Sequence, residues 1–429
     1  MSDRLRALFC DHLSIMRGKY LPAAKIGDAA TRFCRSTFGV HYDKDLLPAP
    51  GAMMMEGLPD MELRWRHDDI RDSWHGATKI VLGDLYDTEG APLPMCPRGA
   101  LKRAVAAWED KGLTPKIGIE LEAFALQRDA EGQLVPYDAP GGVVYGTGPG
   151  TDPLGFNDAI WEAAEDLGFR LDMITAEYDA PQFEYTLTFD DAVKAVDDIV
   201  LFRLMAREIA LDHGIVLSFL PKPLTDRGGS GLHVNFSFLD TGGGNALSSG
   251  EHNSPETAND LTRGCIAGLV HHHKGLAGLI APSANSYERL QPGTLSGYWR
   301  NWGGDHRNVT TRLSSEGGAK ARLEHRTADA AANPYTSVAA ILHAARLGVE
   351  NGYDLPPAET GDGFETTDAT EGTADSLAGA VADLEADTAL GDAVGRTLVD
   401  NHIFMKQQEA EKTAALSGES LRDFYVHYI

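Results

Sequence analysis

The chain has 429 residues, 38 Lys+Arg against 63 Asp+Glu and a formal charge of −25, with 43% hydrophobic residues. That apolar fraction excludes a mostly disordered chain, and the length allows a large buried core in two or three domains. The acidic excess excludes the basic stripe of a nucleic-acid binder and disfavours an anionic membrane surface.

The excess is led by Asp and poor in Lys, as expected of an acidic cytoplasmic protein or one adapted to salt. The N-terminal stretch Met1–His12 has no apolar core long enough for a secretory signal, and no run of about 18 apolar residues predicts a membrane span. Cys10, Cys34, Cys96 and Cys265 form no CxxC pair and read as reduced structural thiols.

Residues 1–97 read as a small strand-rich unit, with strands over Leu5–Leu13 and Lys79–Leu85 and a turn at Arg17-Gly18-Lys19. Pro48, Pro50, Gly51 and Gly57 mark a loop over Leu47–Leu58. A boundary falls at Leu93–Pro97, so that 98–429 forms a second domain opening on a helix over Arg98–Asp110. Strands are then predicted at Ile117–Leu126, Glu177–Leu187, His233–Leu239 and Arg322–Asp329. Helices are predicted at Asn157–Leu167, Asp191–Asp212, Thr257–Ile280 and Pro334–Val349, with loops over Gly141–Gly150 and Asp354–Asp375. Helical patterns run on to the C-terminus. Long insertions between strands indicate mixed α+β rather than a regular βαβ chain.

Three strands carry the chemistry. In Gly118-Ile119-Glu120-Leu121-Glu122, two-residue alternation puts Glu120 and Glu122 on one face and Ile119 and Leu121 on the other. Adjacent carboxylates repel unless solvent or a cation screens them. In His233–Phe238 one face is His233, Asn235 and Ser237, while Arg322-Leu323-Glu324-His325-Arg326 flanks a carboxylate with two arginines. Together these suggest one polar cavity, with Glu177 and Glu184 adding hard oxygen ligands. Oxygen-rich ligation with a single His favours Mg²⁺ or Mn²⁺ over zinc, and the arginines suit an anionic substrate. No GxxxxGK[ST] or complete GxGxxG is present, so bound phosphates need metals and arginines for neutralisation.

These segments, in order, resemble the glutamine synthetase family, most closely its γ-glutamyl-amine ligase branch. The series begins at Asp11 and Arg17-Gly18-Lys19, then Gly118–Glu122, Glu177, Glu184 and Gly229-Ser230-Gly231-Leu232-His233. It continues through Asn285–Gly293, His306-Arg307-Asn308 to Arg312, Arg322–Arg326 and Ala332-Asn333-Pro334-Tyr335. The resemblance implies an N-terminal β-grasp domain followed by a catalytic α+β domain, whose curved antiparallel sheet forms half of a funnel. It implies that Glu122, Glu177 and Glu184 hold one metal and Glu120, His233 and Glu324 a second. Arg289 and Arg326 would grip glutamate beside Gly229, Arg307 the transferred phosphoryl group, and Ser237, Arg312 and Arg322 the nucleotide. It also implies ATP with two or more Mg²⁺ or Mn²⁺ ions, and subunits joined in hexameric rings or dodecamers, with ring contacts through Asn401–Ile429.

Departures from that pattern bear on the substrate. Thr294-Leu295-Ser296-Gly297 stands where ammonia-using members carry Tyr-Glu-Ala-Pro, and Gly228 stands where they carry Asn. Their ammonium-binding Asp is not evident, although Asp43 and Asp45 lie near its place. An organic amine or polyamine is therefore ranked above ammonia as the acceptor, with a non-catalytic relative third. His271-His272-His273 reads as a helix surface whose side chains diverge, and Tyr353 only locally resembles a regulatory tyrosine segment.

Overall fold

The computed structural model describes residues 4–27, 29–248 and 250–429; residues 1–3, where the N-terminal reading begins, lie outside it. The first unit contains β1 (Arg4–Cys10), β2 (Met16–Pro22), β3 (Ala29–Cys34), β4 (Asp60–Trp65), β5 (Arg71–Asp72), β6 (Thr78–Leu82) and β7 (Asp84–Tyr86). They form a sheet in the order β2-β1-β6-β5, with β1 and β6 parallel, and a second sheet β3-β4-β7. β1 is buried on both faces. Leu5, Ala7 and Phe9 join Met61, Leu63 and Trp65 in a small core, whereas Leu8 and Cys10 enter the main one.

Arg17-Gly18-Lys19, expected as a turn, lies within β2, where Gly18 pairs with Leu8. A Cβ on Gly18 would sit 2.5 Å from the Ala7 carbonyl, so glycine here permits close strand approach. The turn comes earlier: the Asp11 carboxylate accepts from the Leu13 and Ile15 N–H groups, both at 2.9 Å, and Arg17 closes it at 2.7 Å.

The chain continues through α1 (Pro97–Glu109), β8 (Thr114–Arg128), β9 (Leu134–Pro136), α2 (Phe156–Asp166), β10 (Leu171–Ala176), β11 (Gln182–Asp191) and α3 (Ala192–Asp212). Next come β12 (Val216–Ser218), β13 (Leu232–Leu239), α4 (Asp260–His271), α5 (His273–Ile280), α6 (Ser286–Arg289), β14 (Trp302–Gly304), β15 (Thr311–Leu313) and β16 (Leu323–His325). The last elements are α7 (Pro334–Asn351), α8 (Leu377–Ala386), α9 (Thr388–Val394), α10 (Arg396–Thr413) and α11 (Gly418–Tyr425). Among the described residues no helix is long and apolar enough to cross a membrane.

The large sheet runs β10-β11-β8-β13-β16-β15-β14, with β9 and β12 also pairing with β8. It is not wholly antiparallel, because β14 and β15 are parallel. Asn301 is the reason: its side-chain oxygen accepts from Thr310 N–H at 3.1 Å and its carbonyl from Thr311 N–H at 3.3 Å, folding loop 305–310 back beside β14.

Other expectations shift. The predicted strand Glu177–Leu187 begins only at Gln182, and Glu177 lies in the turn after β10, a strand the sequence reading missed. The single helix expected over Thr257–Ile280 breaks at His272, whose Nδ1 lies 2.7 Å from Asp387. His272 and His273 are buried, so the three-His run is not simply a helix surface. The strand predicted over Arg322–Asp329 shortens to β16, although Arg326 N–H still reaches the Thr310 carbonyl in register at 2.9 Å. The C-terminal helices pack into the chain's own core through Ile403, Leu421, Tyr425 and Ile429.

Candidate active site

The centre of β8 positions the first carboxylates. Ile117, Ile119, Leu121 and Ala123 are buried on one face, which fixes the register and turns Glu120 and Glu122 to the other. Pairing then aligns one polar side chain per strand. Glu184 of β11 lies opposite Glu122, and His233 of β13 lies opposite Glu120. Asn235 faces Glu324 of β16, which faces Arg312 of β15.

His233 Nδ1 is 3.1 Å from Glu120 and 3.8 Å from Glu324, while its Nε2 is 3.9 Å from Glu122. Ligand atoms of Glu120, Glu184 and His233 all lie within 4.8 Å of one another. This trio takes members from both of the metal sets implied by the resemblance, so the two sets adjoin. Glu177 reaches the same group from its turn: burial and the Glu122 charge push its carboxyl upward. Glu184 is pushed up to about 8 by burial and by Glu120, Glu122 and Glu177. The Thr186 hydroxyl donates to it at 3.3 Å and brings no positive charge. Four carboxylates and an imidazole, with no cation paired to Glu184 among the described residues, fit a divalent Mg²⁺- or Mn²⁺-type ion.

At the other end Glu324 is charge-balanced. Arg312 donates to it at 2.9 Å and Arg326 contacts its second oxygen. Burial raises its carboxyl, but Arg326 and His233 outweigh that and hold it low. Arg289 is buried and donates to the Thr327 and Arg326 carbonyls at 2.9 and 3.2 Å. A Cβ on Gly229 would lie 2.5 Å from Arg289 Cγ, so that glycine lets the loop close over the guanidinium.

Ser237 and Arg322 meet with Glu120 and Asn235 along a cleft of about 560 Å³ that also includes Lys116 and Phe189. Arg312 lies outside that lining and is tied to Glu324 and Asp305. Arg307 is exposed on the loop between β14 and β15. The structure therefore brings the six carboxylate and His positions together with Arg326 and Arg312, and leaves Arg307 at the rim.

Two positioning residues stand beside these: Gln182, which the sequence reading missed, and Asn235, which it put on the polar face without a role. Gln182 donates to Glu122 at 3.2 Å, to the Gly229 carbonyl at 3.0 Å and to Ser230 at 3.3 Å. Asn235 donates to Glu120 at 3.0 Å and accepts from Arg322 at 3.3 Å. Alternation carries the signal for both: Gln182 precedes Glu184 by two, and Asn235 follows His233 by two.

A carboxylate–histidine line with an arginine end and an adjoining cleft suits a divalent ion beside an anionic ligand. The glutamine synthetase catalytic-domain model matches residues 94–423, and the chain belongs to the glutamine synthetase family. It is an ATP-dependent ligase. Over 439 aligned residues it is 28% identical to the glutamine synthetase of Halobacterium salinarum, covering 99% of this chain and 93% of that one. Against the Staphylococcus epidermidis glutamine synthetase identity is 34% over 304 residues, 68% of this chain and 66% of the relative. A solved glutamine synthase homolog shares the fold at TM-score 0.85 and 24% identity, covering 100% and 99% of the two chains. The GmaS/ADP complex superposes at TM-score 0.83 with 26% identity, covering 99% of this chain and 97% of that one.

Proposed function

We propose that the protein joins glutamate to an organic amine through a γ-glutamyl phosphate, releasing ADP and phosphate. A γ-carboxylate oxygen attacks the terminal phosphorus of ATP and ADP departs; the neutral amine nitrogen then attacks the γ-carbonyl, gives up a proton to a base, and phosphate leaves. Glu122, Glu177 and Glu184 would hold one divalent ion and Glu120, His233 and Glu324 a second, next to the Ser237, Arg312 and Arg322 nucleotide site. Those ions supply charge neutralisation for transfer between two anions. Arg289 and Arg326, beside Gly229, orient the glutamate carboxylates, and Arg307 on its exposed loop meets the transferred phosphoryl group.

Residues 1–97 are assigned as a β-grasp domain and 98–429 as the catalytic domain, in a cytoplasmic homo-oligomer of hexameric rings or dodecamers. One observation carries the choice of amine. Leu295, 49% exposed, occupies the loop position where an acidic side chain would attract ammonium. That loop abuts Thr310 and Thr327, whose side-chain hydroxyls donate to the Gly297 carbonyl at 2.9 and 2.8 Å. The likeness to GmaS, an amine ligase of the glutamine synthetase type, supports this reading. The curated glutamine synthetase relatives favour the second reading, ammonia as acceptor.

A panel of methylamine, ethanolamine, a polyamine and ammonium, with ATP, Mg²⁺ and glutamate, tests the choice by phosphate release and product mass. Faster turnover with an organic amine is expected; faster turnover with ammonium transfers the assignment to glutamine synthetase.

A further inference from the structure

Behind the β10–β11 hairpin, on the opposite face from the carboxylate line, lies a pocket of about 200 Å³ that the proposed reaction does not use. Ala176 pairs with Phe183 and Ile174 with Tyr185, so these residues share the face away from Glu184. Ile174, Ala176 and Phe183 form the apolar wall, and Trp161 of α2 adds an indole.

The polar side is built on Asn157, which is only 8% exposed. Tyr185 donates to its side-chain oxygen at 2.8 Å, while its Nδ2 is buried with no partner among the described residues. A buried amide donor left unpaired is destabilising unless an acceptor meets it. Asp152 and Asp158 contribute carboxylates, and no Lys or Arg lines the pocket. Asp152 already accepts from Tyr137, Gly155 and Asn157 main- and side-chain donors. Asp158 is exposed.

We propose that this pocket binds a small organic ammonium ion that also carries a hydroxyl or carbonyl oxygen. The ammonium group sits between Asp158 and the Trp161 face, where charge attraction and a cation–π contact act together. The oxygen accepts from Asn157 Nδ2, and the short alkyl body packs on Ile174 and Phe183. The volume suits a molecule of a few heavy atoms and lies below that of drug-sized sites. The assignment stands apart from the acceptor of the ligase reaction, because the sheet separates this pocket from Glu184.

Calorimetric titration of the full chain with ethanolamine, without metal, ATP or glutamate, tests it. One saturable site is expected, at least about tenfold weaker in both Asp158→Asn and Trp161→Ala. Ethylamine lacks the oxygen and ethylene glycol the charge, so each should bind at least about fivefold more weakly than ethanolamine. Circular dichroism and thermal unfolding matching the parent establish that the variants fold, and Asp158, being exposed, tolerates its substitution. No saturable binding, or parent-like affinity in a folded Asp158→Asn protein, overturns the site. Ethylamine binding as tightly as ethanolamine overturns the Asn157 contact. Because no ligase turnover is read, these results are independent of the amine panel.

Discussion

Two buried acidic clusters in this chain show opposite ways of holding a carboxylate out of water. Glu409 on α10 is fully buried, yet Lys406 donates to it at 2.7 Å, Tyr425 donates at 2.6 Å, and His41 lies 3.6 Å away. Burial raises its carboxyl, but Lys406 and His41 outweigh that and hold it low. In the β8–β11–β13 cluster the carboxylates chiefly face one another, and Glu184 is pushed up to about 8 by burial and its acidic neighbours. The first cluster is balanced by the chain itself. The second remains short of positive charge, as expected of a place made to receive a cation.

The sharpest way to break this contrast is to unbalance the first cluster. Lys406→Met strips the buried Glu409 of its ammonium partner, and the loss of one partner of a buried pair costs about 3–5 kcal/mol. Denaturant unfolding should show that loss, while Glu409→Gln combined with Lys406→Met should recover part of it. A loss below about 1 kcal/mol for the single change would show that the pair is not what balances Glu409.

The second cluster should respond in the reverse sense. Glu184→Gln should lower turnover by more than the about 10–100-fold that losing an outer partner of a metal ligand costs. Yet the metal-free fold should gain stability. The Glu184 carboxyl, ordinarily near 4.5, keeps its proton up to about 8 when folded. Its contribution to stability is therefore fully present below 4.5 and is lost as pH rises towards 8. The advantage of Gln over Glu in metal-free unfolding should grow across that window and level off above it. An advantage that does not vary with pH would remove repulsion as the cause.

The contrast also explains what was legible beforehand. Glu120, Glu122 and His233 were readable because a strand's two-residue alternation is local, and the apolar residues between them fix the face. Gly18 misled because glycine signals a turn locally, whereas here it serves the approach of β2 to β1. The break at His272 depends on Asp387, 115 residues away, and the Lys406–Glu409 pair gains its meaning from His41 and Tyr425 in other elements. Such partners leave no periodic trace. β10 was missed because its central residues Asp172 and Met173 are exposed, so it lacks a buried alternation.

The smallest effect separates the clusters by proton competition. An ion entering beside Glu184 must displace the proton that this carboxyl holds below about 8. With one proton released, Mg²⁺ affinity should fall by up to about tenfold per pH unit as pH drops below that value. Titration at two pH values in buffers of different ionisation heat measures both the affinity and the protons released. In Glu184→Gln the proton release should disappear, because the amide holds no exchangeable acid there. In Glu409→Gln it should persist, because that carboxyl is already charged and paired with Lys406. Equal proton release from the parent and Glu184→Gln would place the titrating group elsewhere and remove the distinction between the two clusters.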